Sequence, residues 1–202
     1  MIKRLVIFLI ILTIIGIISW AWLQSTKPLP GTQTEDQGRD HIKDQSQQVS
    51  YKTNPPTSGP HFENWLRAGI YEVAPDDRYV VHSLEHGYVM ISYNCSFSQR
   101  GFLNVYAHGL EEEATDSAEA TSSAILPTEF RSDDCHQLVD QLISIFERKG
   151  KRKLIITPRS NLDSRIALTA WRRIDKFNDL DTKRIEKFID ELRDHGPEKT
   201  ME

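Results

Sequence analysis

The chain has 202 residues, 25 of them Lys or Arg and 29 Asp or Glu, for a net charge of −4. That length holds one domain of ordinary size; the first 27 residues carry three bases and no acid, which leaves 22 bases against 29 acids, or −7, for everything after them. A balance so acidic, without clustered Lys and Arg, excludes nucleic acid as a general partner.

Leu5 and Leu23 bound an uncharged run of 19 residues, close to the roughly 20 that a helix needs to cross about 30 Å of hydrocarbon. Lys3 and Arg4 precede the run and only Lys27 follows closely. The positive-inside tendency therefore predicts a single pass through the cell membrane, with the N-terminus cytoplasmic and the rest outside. Trp20 and Trp22 stand where an interfacial aromatic belt belongs, and the residues around them offer no convincing cleavage site. Residues 1–23 are thus expected to be a short stub and an uncleaved anchor. Residues 24–50 are rich in Gln, Asp, Ser and Thr and lack the apolar surface that would offset their ordering entropy. They predict a disordered polar tether with a reach of about 30 Å, and His41 on it reads as solvated.

Residues 51–198 predict one extracytoplasmic globular domain. Asn54-Pro55-Pro56-Thr57-Ser58-Gly59-Pro60-His61 is a stiff loop, since three prolines fix φ and remove donors. Residues 78–82 and 87–93 are β-rich and joined by Ser83-Leu84-Glu85, which predicts a tight hairpin. Alternation along the second segment sends Val89, Ile91 and Tyr93 to the core face and Tyr88, Met90 and Ser92 to the other. The acidic, low-complexity stretch 111–123 reads as a solvated excursion. Leu138, Leu142, Ile145 and Phe146 predict a helix over 135–149, ended by Gly150. Residues 154–157 and 166–171 predict short strands around a turn at 158–161. Asp181 caps a last helix with Ile185, Phe188, Ile189 and Leu192 on one stripe, stopped by Gly196-Pro197. This order indicates an α+β fold, a mixed β-sheet with flanking helices. Cys95 and Cys135, both beyond the apolar run, lie where disulfides persist; a bond between them and two buried thiols are the alternatives.

No phosphate-binding glycine loop, nucleophile elbow or dinucleotide fingerprint is present. What carries chemistry is His82-Ser83-Leu84-Glu85-His86-Gly87. On the expected hairpin the two imidazoles face each other, with Cβ atoms about 4.5–5.5 Å apart, and can share one metal ion. His61, at the end of the stiff loop, supplies a third ligand, with Glu63 or Glu85 as an oxygen ligand or as acceptor for an imidazole N–H. Copper and zinc both suit imidazole, so the expectation is a transition metal ion, copper or zinc, held by His61, His82 and His86. The bland competitor is a hydrogen-bonded histidine pair in a surface interaction module without metal. The same letters also spell H-x-x-E-H, the inverted zinc-peptidase motif, which would make Glu85 the base of a metal-dependent hydrolase. That motif requires a helix, and Tyr79, Val80 and Val81 favour a strand. Trp65 and Trp171 read as core anchors or as walls of a histidine site.

Four segments then gain a common meaning: the loop from Asn54 to His61, Val81-His-Ser-Leu-Glu-His-Gly87, Ile166-Ala-Leu-Thr-Ala-Trp171 and Gly196-Pro-Glu198. In this order they resemble the signature blocks of a prokaryotic family known only as a domain of unknown function (number 3105). The resemblance covers most of residues 51–198 and implies a secreted or membrane-anchored protein, with no established reaction. His61, His82, Glu85 and His86 fit the family pattern. The pattern's Gly after the last Trp is Arg172 here, and the excursion between Cys95 and Cys135 is particular to this chain.

Overall fold

A computed structural model describes residues 2–25, 28–97 and 126–200. Helix α1 (Ile2–Ser25) exposes apolar side chains from Ile2 to Trp22, among them Phe8, Leu12, Ile15 and Trp20. It is long and apolar enough to cross a membrane, as a membrane anchor or a signal sequence would be.

The elements that follow are β1 (Thr32–Gln33), β2 (Gly69–Ile70), α2 (Asp77–Glu85), β3 (Val89–Tyr93), α3 (Asp133–Arg148), β4 (Leu154–Pro158), β5 (Ile166–Ala170), β6 (Arg173–Phe177) and α4 (Thr182–Leu192). Among the described residues the strands form one sheet in the order β1-β6-β5-β3-β4-β2. β3 runs parallel to β4 and β4 to β2, while β5 is antiparallel to β3 and β6, and β1 to β6. The fold is therefore the expected mixed sheet with flanking helices.

Both faces of the central strands are covered. On one, α3 and α4 lay Leu138, Leu142, Ile145, Ile185, Phe188 and Ile189 against Val89, Ile91, Leu154, Ile156, Ile166 and Leu168. On the other, Val80 and Leu84 of α2 pack with Tyr88, Met90 and Ile155. Burial on two sides is why β3 and β4 read as nearly continuous apolar runs, and the alternation expected along β3 holds.

Three local expectations are corrected. Residues 78–82 are not a strand but the body of α2. Asp76 caps it by accepting from Arg78 N at 2.9 Å, and Val80, Val81 and Leu84 share the buried side; cap and packing outweigh the strand preference of Tyr79-Val80-Val81. Ser83, Leu84 and Glu85 are then a helical turn rather than a hairpin loop, and the chain enters β3 through Gly87 at φ +81°, a left-handed conformation that favours glycine.

The second correction concerns the stretch expected to be a tether. Thr32 pairs with Ile174 and Gln33 with Arg173. Thr34 N donates to Arg172 O at 3.0 Å, His61 N to Asp40 O at 3.0 Å and Ile42 N to His61 O at 2.7 Å. Arg78 holds the carbonyls of Gln45 and Gln47 at 2.8 and 2.9 Å. Ile42 is the one fully buried apolar side chain between residues 28 and 50. Backbone pairing, not apolar burial, orders the stretch, and composition carries no trace of it.

The third is β6, Arg-Ile-Asp-Lys-Phe, absent from the expected order because it lies half-buried and keeps two-sided polarity. Trp171 and Arg172 connect it to β5, and Arg172 adopts φ +55°. The glycine of the family pattern thus falls on a left-handed position. Cys95 and Cys135 stand at disulfide distance, their Cα atoms 5.5 Å apart. The acidic excursion between them lies outside the described residues.

Candidate metal centre

The site forms where three segments meet at α2: the strap of residues 39–42, the loop ending at His61, and the C-terminal residues 194–200. Arg159 clamps two of the supports, donating to Asn54 Oδ1 at 2.5 Å and to both carboxylate oxygens of Asp77 at 2.7 and 2.8 Å. It thereby ties the stiff loop to the start of α2. His41 and His61 form a parallel bridge, which carries their rings to 5.0 Å between centroids. His82 and His86, one helical turn apart, lie at 4.5 Å, and His82 is 4.8 Å from His61. Trp65 covers the array, 4.6 Å from His86 and 5.5 Å from His82; it is a wall of the histidine site rather than a core anchor, with 40% of its surface exposed.

His61, His82, Glu85 and His86 are all buried, at 0 to 4% exposure. The hydrogen bonds of the rings fix their tautomers. His61 Nδ1 lies 2.8 Å from Gly59 O and His82 Nδ1 2.6 Å from Phe62 O. A carbonyl only accepts, so each Nδ1 carries its proton there and each neutral ring turns a bare Nε2 inward. Burial holds the His61 ring below the ordinary imidazole range, against the opposing pull of the Gly59 carbonyl and Glu85. Burial also pushes His82 down to about 4, with the Phe62 carbonyl opposing and the rings of His86, His61 and His41 adding to the depression. Both rings are therefore neutral near pH 7, the form that ligates metal.

Two close approaches bring prospective ligand atoms together. His61 Nε2 lies 2.9 Å from Glu85 Oε2, yet both atoms are buried with no hydrogen bond. With the His61 proton on Nδ1, two electron pairs face each other across that gap; a doubly protonated ring would instead form an ion pair with the carboxylate. His82 Nε2 lies 3.0 Å from His86 Nε2, while His86 Nδ1 is buried without a partner. Two donors bound to one tetrahedral ion at about 2.0–2.1 Å stand roughly 3.3 Å apart, so both separations are close to those of ligands around a shared cation. A buried polar atom without a partner costs about 1–3 kcal/mol, and an ion shared by His61 Nε2 and Glu85 Oε2 removes that cost for both, while His86 Nδ1 stays unpartnered.

Among the described residues two groups of atoms able to ligate a metal result, each lying within 4.8 Å of one another: His41, His61, His82 and Glu85, and His82, His86 and Glu198. Of the expected residues, His61, His82, His86 and Glu85 are brought together. Glu63 is not: it is exposed and belongs to neither group, because the chain turns outward after Phe62 packs against Tyr79. His41 and Glu198 are the candidate ligands that sequence reasoning passes over. Nothing local marks His41, whereas Glu198 lies in the Gly196-Pro-Glu198 block. H-x-x-E-H lies on a helix after all, but Glu85 is turned toward His61 and toward Arg39 at 3.6 Å.

The family described as a protein of unknown function (DUF3105) matches residues 41–115 and 128–202. No curated protein and no solved structure matches the chain.

Proposed function

The chain belongs to the DUF3105 family, and we propose that in it the domain binds a transition metal ion, copper or zinc, within the cluster of His61, His82 and His86, with Glu85 as an oxygen ligand and His82 common to both groups of ligating atoms. The observation that carries this reading is the buried pair His61 Nε2 and Glu85 Oε2, 2.9 Å apart and without a hydrogen bond. Neutral imidazoles and one carboxylate are a donor set for borderline ions such as Zn²⁺ and Cu²⁺ rather than for Ca²⁺ or Mg²⁺, which take oxygen. Helix α1 serves as the anchor in this reading, with Lys3 and Arg4 cytoplasmic and the domain outside. The full chain, purified in detergent without a histidine tag, is expected to carry about one copper or zinc per molecule by elemental analysis. His82→Ala with His86→Ala is expected to abolish it, and unchanged metal content in that double variant would refute the reading. A reporter active only outside the cytoplasm, fused after Glu202, tests the topology.

A second reading, metal-dependent hydrolysis, is favoured by the helical setting of His82-Ser83-Leu84-Glu85-His86. Glu85→Gln separates the two. A general base lost leaves the metal bound and stops turnover, whereas a ligand lost lowers metal affinity by at least about tenfold.

A further inference from the structure

His82 belongs to both ligand groups. A neutral imidazole carries a proton on one nitrogen and an electron pair on the other, so His82 serves one group at a time. With its Nδ1–H on Phe62 O at 2.6 Å, its pair faces His86 Nε2 at 3.0 Å. From there the His61 ring is as near as the His86 ring to within a few tenths of an ångström. The groups differ in access and in donor number. Glu198 leaves 51% of its side chain exposed, whereas in the other group only His41 reaches the surface, with His61, His82 and Glu85 buried.

We propose that the two groups are two positions for one ion: an outer loading position at His82, His86 and Glu198, and an inner holding position at His41, His61, His82 and Glu85. This rests on the metal reading above and adds a route to it. The step is a ligand exchange without redox change. Glu198 and His86 release the ion as His61, Glu85 and His41 take it, and His82 remains its neighbour throughout. Four donors against three, and burial against exposure, make the inner position the tighter one. Glu198 is held for this task by the C-terminal segment that bears it, through Glu198 N to Glu85 O at 3.1 Å.

The test uses zinc and the full chain in detergent, with elemental analysis for stoichiometry and a chromophoric chelator for the rate of extraction. The unaltered chain is expected to bind one zinc. Glu198→Gln is expected to keep one zinc at an affinity within about threefold of the original, with uptake and extraction slowed about tenfold. His41→Ala is expected to weaken binding by about tenfold or more and to speed extraction. Both residues are exposed, so neither change threatens the fold. Two zinc ions bound at once, or exchange rates unmoved by Glu198→Gln in a chain that holds one zinc, would overturn the route while leaving metal binding intact. A chain that holds no zinc and no copper would overturn the metal reading and the route with it.

Discussion

Gly196 stands where the C-terminal segment crosses the end of α2, and replacing it by alanine forces a collision. A Cβ there would lie 2.0 Å from Glu85 O and 2.4 Å from Gly87 N, backbone atoms that cannot swing aside as a side chain would. The least costly response is for residues 194–200 to lift off. Three hydrogen bonds to backbone carbonyls leave with them, Asp194 N to Gly87 O at 2.9 Å, Glu198 N to Glu85 O at 3.1 Å and Lys153 Nζ to Thr200 O at 2.9 Å, together with the ion pairs of the exposed Asp194 carboxylate with Arg152 and Lys153, which are worth little in water. At about 1 kcal/mol net for each hydrogen bond, Gly196→Ala costs about 3 kcal/mol. With a urea dependence of about 2 kcal/mol per molar, the unfolding midpoint falls by about 1.5 M. Tryptophan fluorescence of the metal-free chain in urea measures it. Gly150→Ala is the control: Gly150 has φ +77° and open space around its Cβ, so it carries conformational strain alone, about 1 kcal/mol. Equal losses in the two variants would refute the collision and the close seating of residues 194–200 that it implies.

Acid should destabilise the metal-free domain. His82 in the folded chain sits near 4 and His61 is also held down, against about 6.5 unfolded. Stability is therefore full above about pH 6.5 and declines as pH falls toward 4, by about 3 kcal/mol from His82; a urea midpoint that rises on acidification would refute this. Zinc at a hundred times its dissociation constant is expected to add about 2.7 kcal/mol, a gain absent from the His82→Ala, His86→Ala variant in the same titration. A bond between Cys95 and Cys135, 40 residues apart, is worth about 4 kcal/mol by loop entropy, so reductant should lower the midpoint of the metal-free chain accordingly. Arg172→Gly relieves the left-handed position at φ +55° and is expected to stabilise by about 0.5 kcal/mol after chain entropy is counted, less what the 3.3 Å approach of Arg172 to Asp36 contributes.

The parts of the fold legible in the sequence are those ordered by apolar periodicity. Leu138, Leu142, Ile145 and Phe146 announce α3, Ile185, Phe188, Ile189 and Leu192 announce α4, and both stripes meet the sheet as expected. Where the ordering force is something else, sequence reading fails. In α2 the β-branched Val80 and Val81 point to a strand, and only the Asp76 cap and the packing against Met90 and Ile155 reverse it. Of the site, His61, Glu85, His82 and His86 could be named from their motifs, although the hairpin assumed for the last two was wrong. The hairpin and the helix both juxtapose residues four apart, so the pairing survived the error. His41 could not be found, because what brings it to the site is a backbone bridge to His61, and a bridge leaves no compositional mark.

At either rim of the six-stranded sheet lies a strand only two residues long, β1 on one side and β2 on the other. A rim strand is a row of unpaired donors and acceptors that another copy can extend. Rims this short give a neighbour almost no footing for a new ladder. In the anchored reading proposed above, copies side by side at a bilayer would meet edge-on far more often than in free solution, and rims this short would limit lateral pairing under that crowding.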